Sequence, residues 1–375
     1  MDKKVKVIAF HLPQYHSFPE NDKWWGKGFT EWTNVKKGKA IYSGQIQPRI
    51  PLNNNYYNLL DDENLVWQCD LAKKYDVYGF CFYHYWFNGH MLMEKPVENY
   101  LKLDNEKKCN YCICWANENW TRAWADKTNE TLIQQKYGDE EEWEQHFNYL
   151  LPFFKDEKYI YDNGKPIFVI YRPELIYRIK DMLEFWNELA RNNGLNGICF
   201  VYQQYSYLQN HGEEEKLFSY NIEYQPSYAF NQLEKVSKIS QFNNKVYAIL
   251  PSKIQKIATS IRRKCSKKQI YKEYDYDKIW QHIISNAPST NKAIPGAFVD
   301  FDNSPRRQER CTYFSGVTAE KFSKYFKAQV ENAKNKYNSE YLFVFAWNEW
   351  GESGYLEPDE KNQYKMLEAI KNAVK

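Results

Sequence analysis

Eight short apolar runs recur along the chain, each separated from the next by longer stretches, several with helical spacing. They are Val5–Phe10, Tyr78–Tyr83, Tyr111–Trp115, Ile167–Tyr171, Ile198–Tyr202, Tyr220–Tyr224, Ala297–Phe301 and Leu342–Trp347. Most are continuous rather than alternating, the pattern of parallel strands covered on both faces. Helices are predicted from an Asp61 cap to about Tyr75, and over Glu140–Phe154, Glu174–Asn192, Thr318–Lys334 and Asp359–Val374. Strands alternating with helices eight times predict an α/β fold, the (β/α)8 TIM barrel. A doubly wound open sheet is the rival, but no G-x-G-x-x-G follows the first strand. Residues 1–375 are read as one barrel domain with long insertions at about 12–60 and 226–293. Both insertions leave from strand C-termini, the face on which barrel active sites are built.

The residues just beyond each strand are nearly all polar or aromatic. The first strand leads to His11, Gln14, Tyr15 and His16, and the second ends in Tyr83 and leads to His84, Tyr85 and Trp86. The third ends in Trp115 and leads to Asn117, Glu118, Asn119, Trp120 and Arg122. The fourth gives Tyr171 and Arg172, the fifth Gln203 and Gln204, and the sixth Glu223 and Gln225. The seventh supplies Asp300 and Asp302, and the eighth Asn348, Glu349, Trp350 and Glu352. Singly, each has a plain structural explanation. On a barrel they converge on one mouth, where hydroxyl-directed groups beside ring faces suit a saccharide. Composition agrees: Trp, Tyr and Phe make up 18% of the chain.

Glu349 and Glu352 are the sharpest feature. Glycosidic cleavage needs one carboxyl to protonate the leaving oxygen and a second to act as nucleophile or base. Flanking tryptophans can desolvate one carboxyl and keep it protonated. Gly351 permits a sharp turn that would aim both into the mouth. The alternative is an acidic pair at a helix N-terminus, or an ion pair of the glutamates with Arg122 or Arg172. Asp300 and Asp302 form a competing pair, read as ion-pairing to Arg306, Arg307 or Arg310, or as binding sugar hydroxyls, ahead of a cation.

Other chemistry is disfavoured. The formal charge of +3 is too small to argue for nucleic acid. Cys109-x-x-Cys112 has no second Cys or His pair behind it, so the eight cysteines read as buried thiols. No metal is expected. No apolar run approaches the roughly 20 residues of a membrane span. MDKKVKVIAF runs directly into a strand without the apolar core of a secretory signal, which predicts a cytoplasmic protein.

Several longer motifs carry a resemblance. They are His11-Leu12-Pro13-Gln14-Tyr15-His16, Gly28-Phe29-Thr30-Glu31-Trp32, Tyr83-His84-Tyr85-Trp86-Phe87, Trp115-Ala116-Asn117-Glu118-Asn119-Trp120-Thr121-Arg122 and the stretch Trp347 to Pro358. In this order they resemble the WbsX-type family of bacterial polysaccharide-locus proteins, which looks related to glycoside hydrolase family 99, the endo-α-mannosidases and endomannanases. The resemblance implies an enzyme of O-antigen or capsule type polysaccharide, acting on α-glycosidic bonds without a metal or organic cofactor. It adds Glu31 and Trp32 to the substrate site. It implies that Glu349 deprotonates the sugar 2-hydroxyl to give a 1,2-anhydro sugar, and that Glu352 protonates the leaving oxygen. The hydrolase pattern has His where this chain has Gly351, and Gly where it has Ser353, which puts mannose specificity in question. A glycosyltransferase and a non-catalytic glycan-binding barrel are the alternatives.

Residues 235–272 contain eleven Lys or Arg and no Asp or Glu. Ile254, Ile257, Ala258 and Ile261 share one helical face there, so the segment reads either as peripheral contact with an anionic membrane bearing a lipid-linked glycan, or as a helix packing its isoleucines on the barrel. Salt-sensitive sedimentation with anionic liposomes, lost when Arg262, Arg263 and Lys264 become Ser, separates the two.

Overall fold

The structure, a computed structural model, describes residues 4–122, 130–206, 209, 212–233 and 271–375. Eight parallel strands form the barrel: β1 Lys6–His11, β2 Gly79–Phe87, β3 Asn110–Trp115, β4 Lys165–Ile170, β5 Cys199–Gln204, β6 Tyr220–Glu223, β7 Ala293–Ile294 with Gly296–Phe298, and β8 Tyr341–Phe345. They pair in chain order, and β8 returns to β1 with Val7 opposite Leu342. All eight predicted runs are barrel strands, so the (β/α)8 expectation holds and the open sheet does not.

Closure depends on β7. Pro295 splits it in two, because proline cannot donate to a ladder. The first half pairs with β6 and the second with β8, while the Pro295 carbonyl accepts from Phe343 N at 3.1 Å. The single strand thereby hands the ladder from one neighbour to the other.

Helices cover the outside. Asp62–Lys74 and Glu140–Phe154 fall where the periodicity put them. Ala319–Asn335 starts as predicted, with Thr318 accepting from Lys321 N at 3.2 Å as its cap. Two starts differ. Pro173 opens a separate 3-10 turn, Pro173–Leu175, so the next helix begins at Ile179. Asp359 spends its carboxylate on the Asn362 amide of a turn, and the last helix begins at Lys365. Lys95–Lys102 and Tyr276–Ser285 complete the second and sixth units without having been predicted. After β5 the crossing contains only the 3-10 turn Gly212–Leu217 among the described residues. No helix among the described residues is long and apolar enough to cross a membrane. Most of the basic segment 235–272, residues 235–270, lies outside the described residues.

Strand alternation decides which side chains reach the interior. Phe10 on β1 lies 5.6 Å from Tyr83 on β2, 5.3 Å from Tyr224 after β6 and 5.5 Å from Phe343 on β8. Strands β2 and β6 are not neighbours, so the 3.1 Å contact between the Tyr83 and Tyr224 hydroxyls crosses the barrel lumen. The other parity faces the helices: His84 and Trp86 both meet His146 of Glu140–Phe154.

Gly296 makes the closure tight. A Cβ there would fall inside contact distance of the Glu223 backbone carbonyl on β6. Gly296→Ala is therefore expected to cost about 1–3 kcal/mol by overpacking, read as a lower urea midpoint. An unchanged midpoint would show that the closure tolerates more space than this packing allows.

Candidate active site

Beyond β8 the chain makes a small hairpin, Asn348–Glu349 antiparallel to Gly354–Tyr355, with a 3-10 turn at Trp350–Glu352. Its left-handed residue is Ser353, φ 57°. Gly351 is not used for backbone freedom, which corrects the sequence expectation. It is used for space. A Cβ at 351 would collide with Glu31 Oε1 and crowd Arg306 Nε, 2.6 Å away.

The hairpin is locked from below by residues from the first insertion and the last loop. Asn348 Oδ1 accepts from Leu12 N at 2.7 Å and its Nδ2 donates to Leu12 O at 3.0 Å, extending the β1–β8 pairing by one side chain. Tyr15 donates its hydroxyl to the Asn348 carbonyl. Trp350 Nε1 donates to Glu357 at 2.6 Å, and its ring stacks 3.7 Å from Tyr355 and packs on Trp32. Trp32 Nε1 donates to Tyr57 O at 2.8 Å. His11 and Glu357 both bond Gln68, at 3.0 and 2.7 Å.

Arg306 sits at the centre, in the short helix Ser304–Arg307 after β7. Its Nε donates to Glu31 at 2.8 Å, Nη1 to Glu352 at 2.8 Å and Nη2 to Glu349 at 3.2 Å. Arg306 and Glu31 side chains are each 2% exposed, Glu349 6% and Glu352 20%. Burial pushes the Glu349 carboxyl up to about 8; Arg306 opposes this, and Glu352 and Glu31 add to it. Burial also raises Glu31, against the pull of Arg306. Both shifts favour a proton held within the cluster.

Both glutamates open onto a cavity of about 240 Å³ at the C-terminal mouth. Its wall is Tyr83 and Tyr85 from β2, Ala116, Glu118, Asn119 and Trp120 beyond β3, Tyr171 beyond β4, and Tyr224, Pro226 and Ser227 beyond β6. Phe301 and Phe345 complete it with Glu349 and Glu352. Of the residues singled out in the sequence, Tyr83, Tyr85, Glu118, Asn119, Trp120, Tyr171, Glu349 and Glu352 reach this wall. Arg172 backs it, paired with Glu118 and Glu174 and stacked on Tyr205.

The others are held elsewhere, for reasons of parity and pairing. His84 and Trp86 point outward: His84 Nε2 lies 2.9 Å from His146 Nε2, Trp86 bonds Glu142, and burial lowers His84 to about 3. Trp115 faces the same helix and donates to Trp86 O at 3.2 Å. Glu223 points to the helix layer, accepting from Tyr337 and from Ser289 N, each at 2.7 Å. Asn117 ties its strand end to Arg172 through 2.7 Å bonds to that backbone N and O. Arg122 pairs with Glu130 and reaches Trp24 O at 3.0 Å. Gln14 lends its carbonyl to Glu31 N at 3.0 Å, and Gln203 is fully buried. Asp300 pairs with Arg49 at 2.9 Å and Asp302 accepts from Gln45 at 2.7 Å, so neither meets Arg306. No cluster of three or more metal-ligating His, Cys, Asp or Glu occurs among the described residues.

The sequence reading missed Tyr224, Phe301 and Phe345 on the wall, and Arg306 as the glutamates' partner in place of Arg122 or Arg172. Period-two counting from Tyr83 would have kept Tyr85 while excluding His84 and Trp86.

Solved structures share this architecture. An endo-α-mannosidase of glycoside hydrolase family 99 from Bacteroides thetaiotaomicron, in complex with bis-tris-propane, matches with TM-score 0.56 and 13% identity, over 98% of this chain and 96% of that one. A glycoside hydrolase-like protein matches with TM-score 0.55 and 12% identity, over 100% and 94%. These likenesses establish the barrel fold. The WxcX protein of Xanthomonas campestris pv. campestris strain B100 is 28% identical over 370 residues, 98% of this chain, and that of strain ATCC 33913 is 28% identical over 375. The chain spans about half the length of these relatives, 49%. The profile of the family described as Glycosyltransferase WbsX matches residues 7–370, and the chain belongs to that family.

Proposed function

We propose that this protein is a carbohydrate-active enzyme that breaks or transfers α-glycosidic bonds of a bacterial surface polysaccharide, with Glu349 and Glu352 as the reacting pair. One observation carries the reading: two carboxyls three residues apart share a buried guanidinium and face a cavity walled by tyrosines and Trp120. The endo-α-mannosidase named among the similar folds supports the same class of substrate.

In the proposed chemistry Glu349 takes the proton of the sugar 2-hydroxyl as that oxygen attacks its own anomeric carbon. Glu352 gives a proton to the departing glycosidic oxygen, leaving a 1,2-anhydro sugar. Glu352 then deprotonates the acceptor that opens this ring at the anomeric carbon, and Glu349 returns its proton to O2. Configuration is retained overall. Water as acceptor gives hydrolysis, and a glycan hydroxyl gives transfer. The glycan, lipid-linked at a cytoplasmic membrane face in this reading, is the partner.

The second reading, a glycosyltransferase using a nucleotide sugar, is favoured by the description of the family. Against it, the described wall carries Glu118, Glu349 and Glu352 and no Lys or Arg. Arg306 and Arg172, behind that wall, are bonded to carboxylates. A pyrophosphate would meet net negative charge there. A binding barrel without catalysis would leave both glutamates idle.

Glu349→Gln and Glu352→Gln are expected to fold and to lose about 10^2 to 10^4 in rate on a cleaved α-oligosaccharide. Either variant keeping more than roughly a tenth of the rate would remove that residue from the chemistry. The pH profile tests the division of labour. The chemistry needs Glu349 ionised and Glu352 protonated, so the active pair holds one proton, and kcat/KM should fall as that proton leaves at about 8. A climb through the same range to a plateau above it would show that the pair acts without its proton, against Glu352 as the acid.

A further inference from the structure

Three carboxylates surround one guanidinium, and each comes from a different place in the chain or a different position in the turn. Glu31 belongs to the helix Glu31–Lys37 of the first insertion, Arg306 to the loop after β7, and Glu349 and Glu352 to the hairpin after β8. Glu31 does not line the cavity. It accepts from Arg306 Nε, against Gly351, in the space that a side chain at 351 would fill.

We propose that Glu31 is a positioning residue that sets the charge of the reacting pair: by occupying Arg306 it leaves Glu349 and Glu352 short of one positive charge, so that together they retain a proton. The inference rests on the proposed function for its catalytic meaning, and on geometry alone for the charge arrangement.

The balance of charges is simple. One guanidinium balances one carboxylate. If only Glu349 and Glu352 faced Arg306, the group would carry one negative charge with both ionised. Glu31 adds a second in a place nearly closed to water, where like charges gathered on a common cation are weakly screened. The least costly relief is one bound proton. The remaining groups near Glu349 do not supply a counter-charge: Tyr15, Tyr83, Tyr85 and Tyr224 present phenols that burial keeps neutral. Glu31 is therefore the one carboxylate in the cluster whose removal changes the charge without removing a group from the cavity wall.

Gly351 belongs to the same arrangement. Any side chain there would displace the Glu31 carboxylate or the Arg306 Nε. The glycine is what lets an ion pair stand directly behind the two glutamates, and the residue at 351 becomes a marker of whether the Glu31–Arg306 unit can form.

Glu31→Gln is the test, because the amide keeps the shape and an oxygen to accept from Arg306 Nε while removing the charge. The readout needs no substrate: the infrared band of the protonated carboxyl, assigned by its loss in Glu349→Gln, tracked against pH. The midpoint should fall by about one pH unit or more in Glu31→Gln. The falling limb of kcat/KM should move down by the same amount. Gly351→Ala gives a second variant, in which the wild-type midpoint is lost as the Glu31–Arg306 contact opens. An unchanged or higher midpoint in Glu31→Gln overturns the inference. A lowered midpoint in a protein that turns over no α-glycoside upholds the charge arrangement and overturns the proposed function.

Discussion

The site depends on one buried guanidinium. Arg306 joins three stretches of chain that are distant in sequence, the first insertion through Glu31, the seventh loop through its own backbone, and the eighth through Glu349 and Glu352. Buried charges are stable only when paired and hydrogen-bonded, and removing one partner from such a group typically costs roughly 3–5 kcal/mol. Arg306 is thus both the structural tie of the mouth and the electrostatic reference for the carboxyls that line it. Its partners hold it where neither Arg122 nor Arg172 could substitute, since those guanidinia are spent on Glu130, Glu118 and Glu174.

Around this centre the aromatic residues divide into two populations. Tyr83, Tyr85, Trp120, Tyr171 and Tyr224 face the cavity, offering ring faces and hydroxyls to whatever enters. Tyr15, Trp32, Trp350 and Tyr57 lie beneath and fix the hairpin through ring packing and hydrogen bonds to main chain and Glu357. The high aromatic content of the chain is therefore divided between the cavity wall and the packing that fixes the hairpin carrying the two carboxyls.

Much of this was legible in the sequence. Eight continuous apolar runs announced the barrel because parallel strands are buried on both faces, and the end of the eighth run announced the glutamate pair. The illegible part has two physical causes. Strand ends alternate in and out, so His84, Trp86, Trp115 and Glu223 sit beside the mouth in sequence and face the helices in space. Ion-pair partners are chosen by tertiary distance, so Asp300 meets Arg49 and the glutamates meet Arg306, pairings between residues far apart in the chain with no local signal. Gly351 read as a flexible turn residue because a glycine's need for space depends on what packs against it.

Central to all of this is the action of the Arg306-held pair on an α-glycosidic bond at the barrel mouth. The most direct measurement is 1H NMR of the anomeric signals as the purified protein is incubated with a panel of defined α-linked oligosaccharides and, in parallel, with nucleotide sugars. An oligosaccharide should be cleaved or transferred, and the first-formed product should be the α-anomer. A β-anomer formed first, or turnover of nucleotide sugars alone, would contradict it.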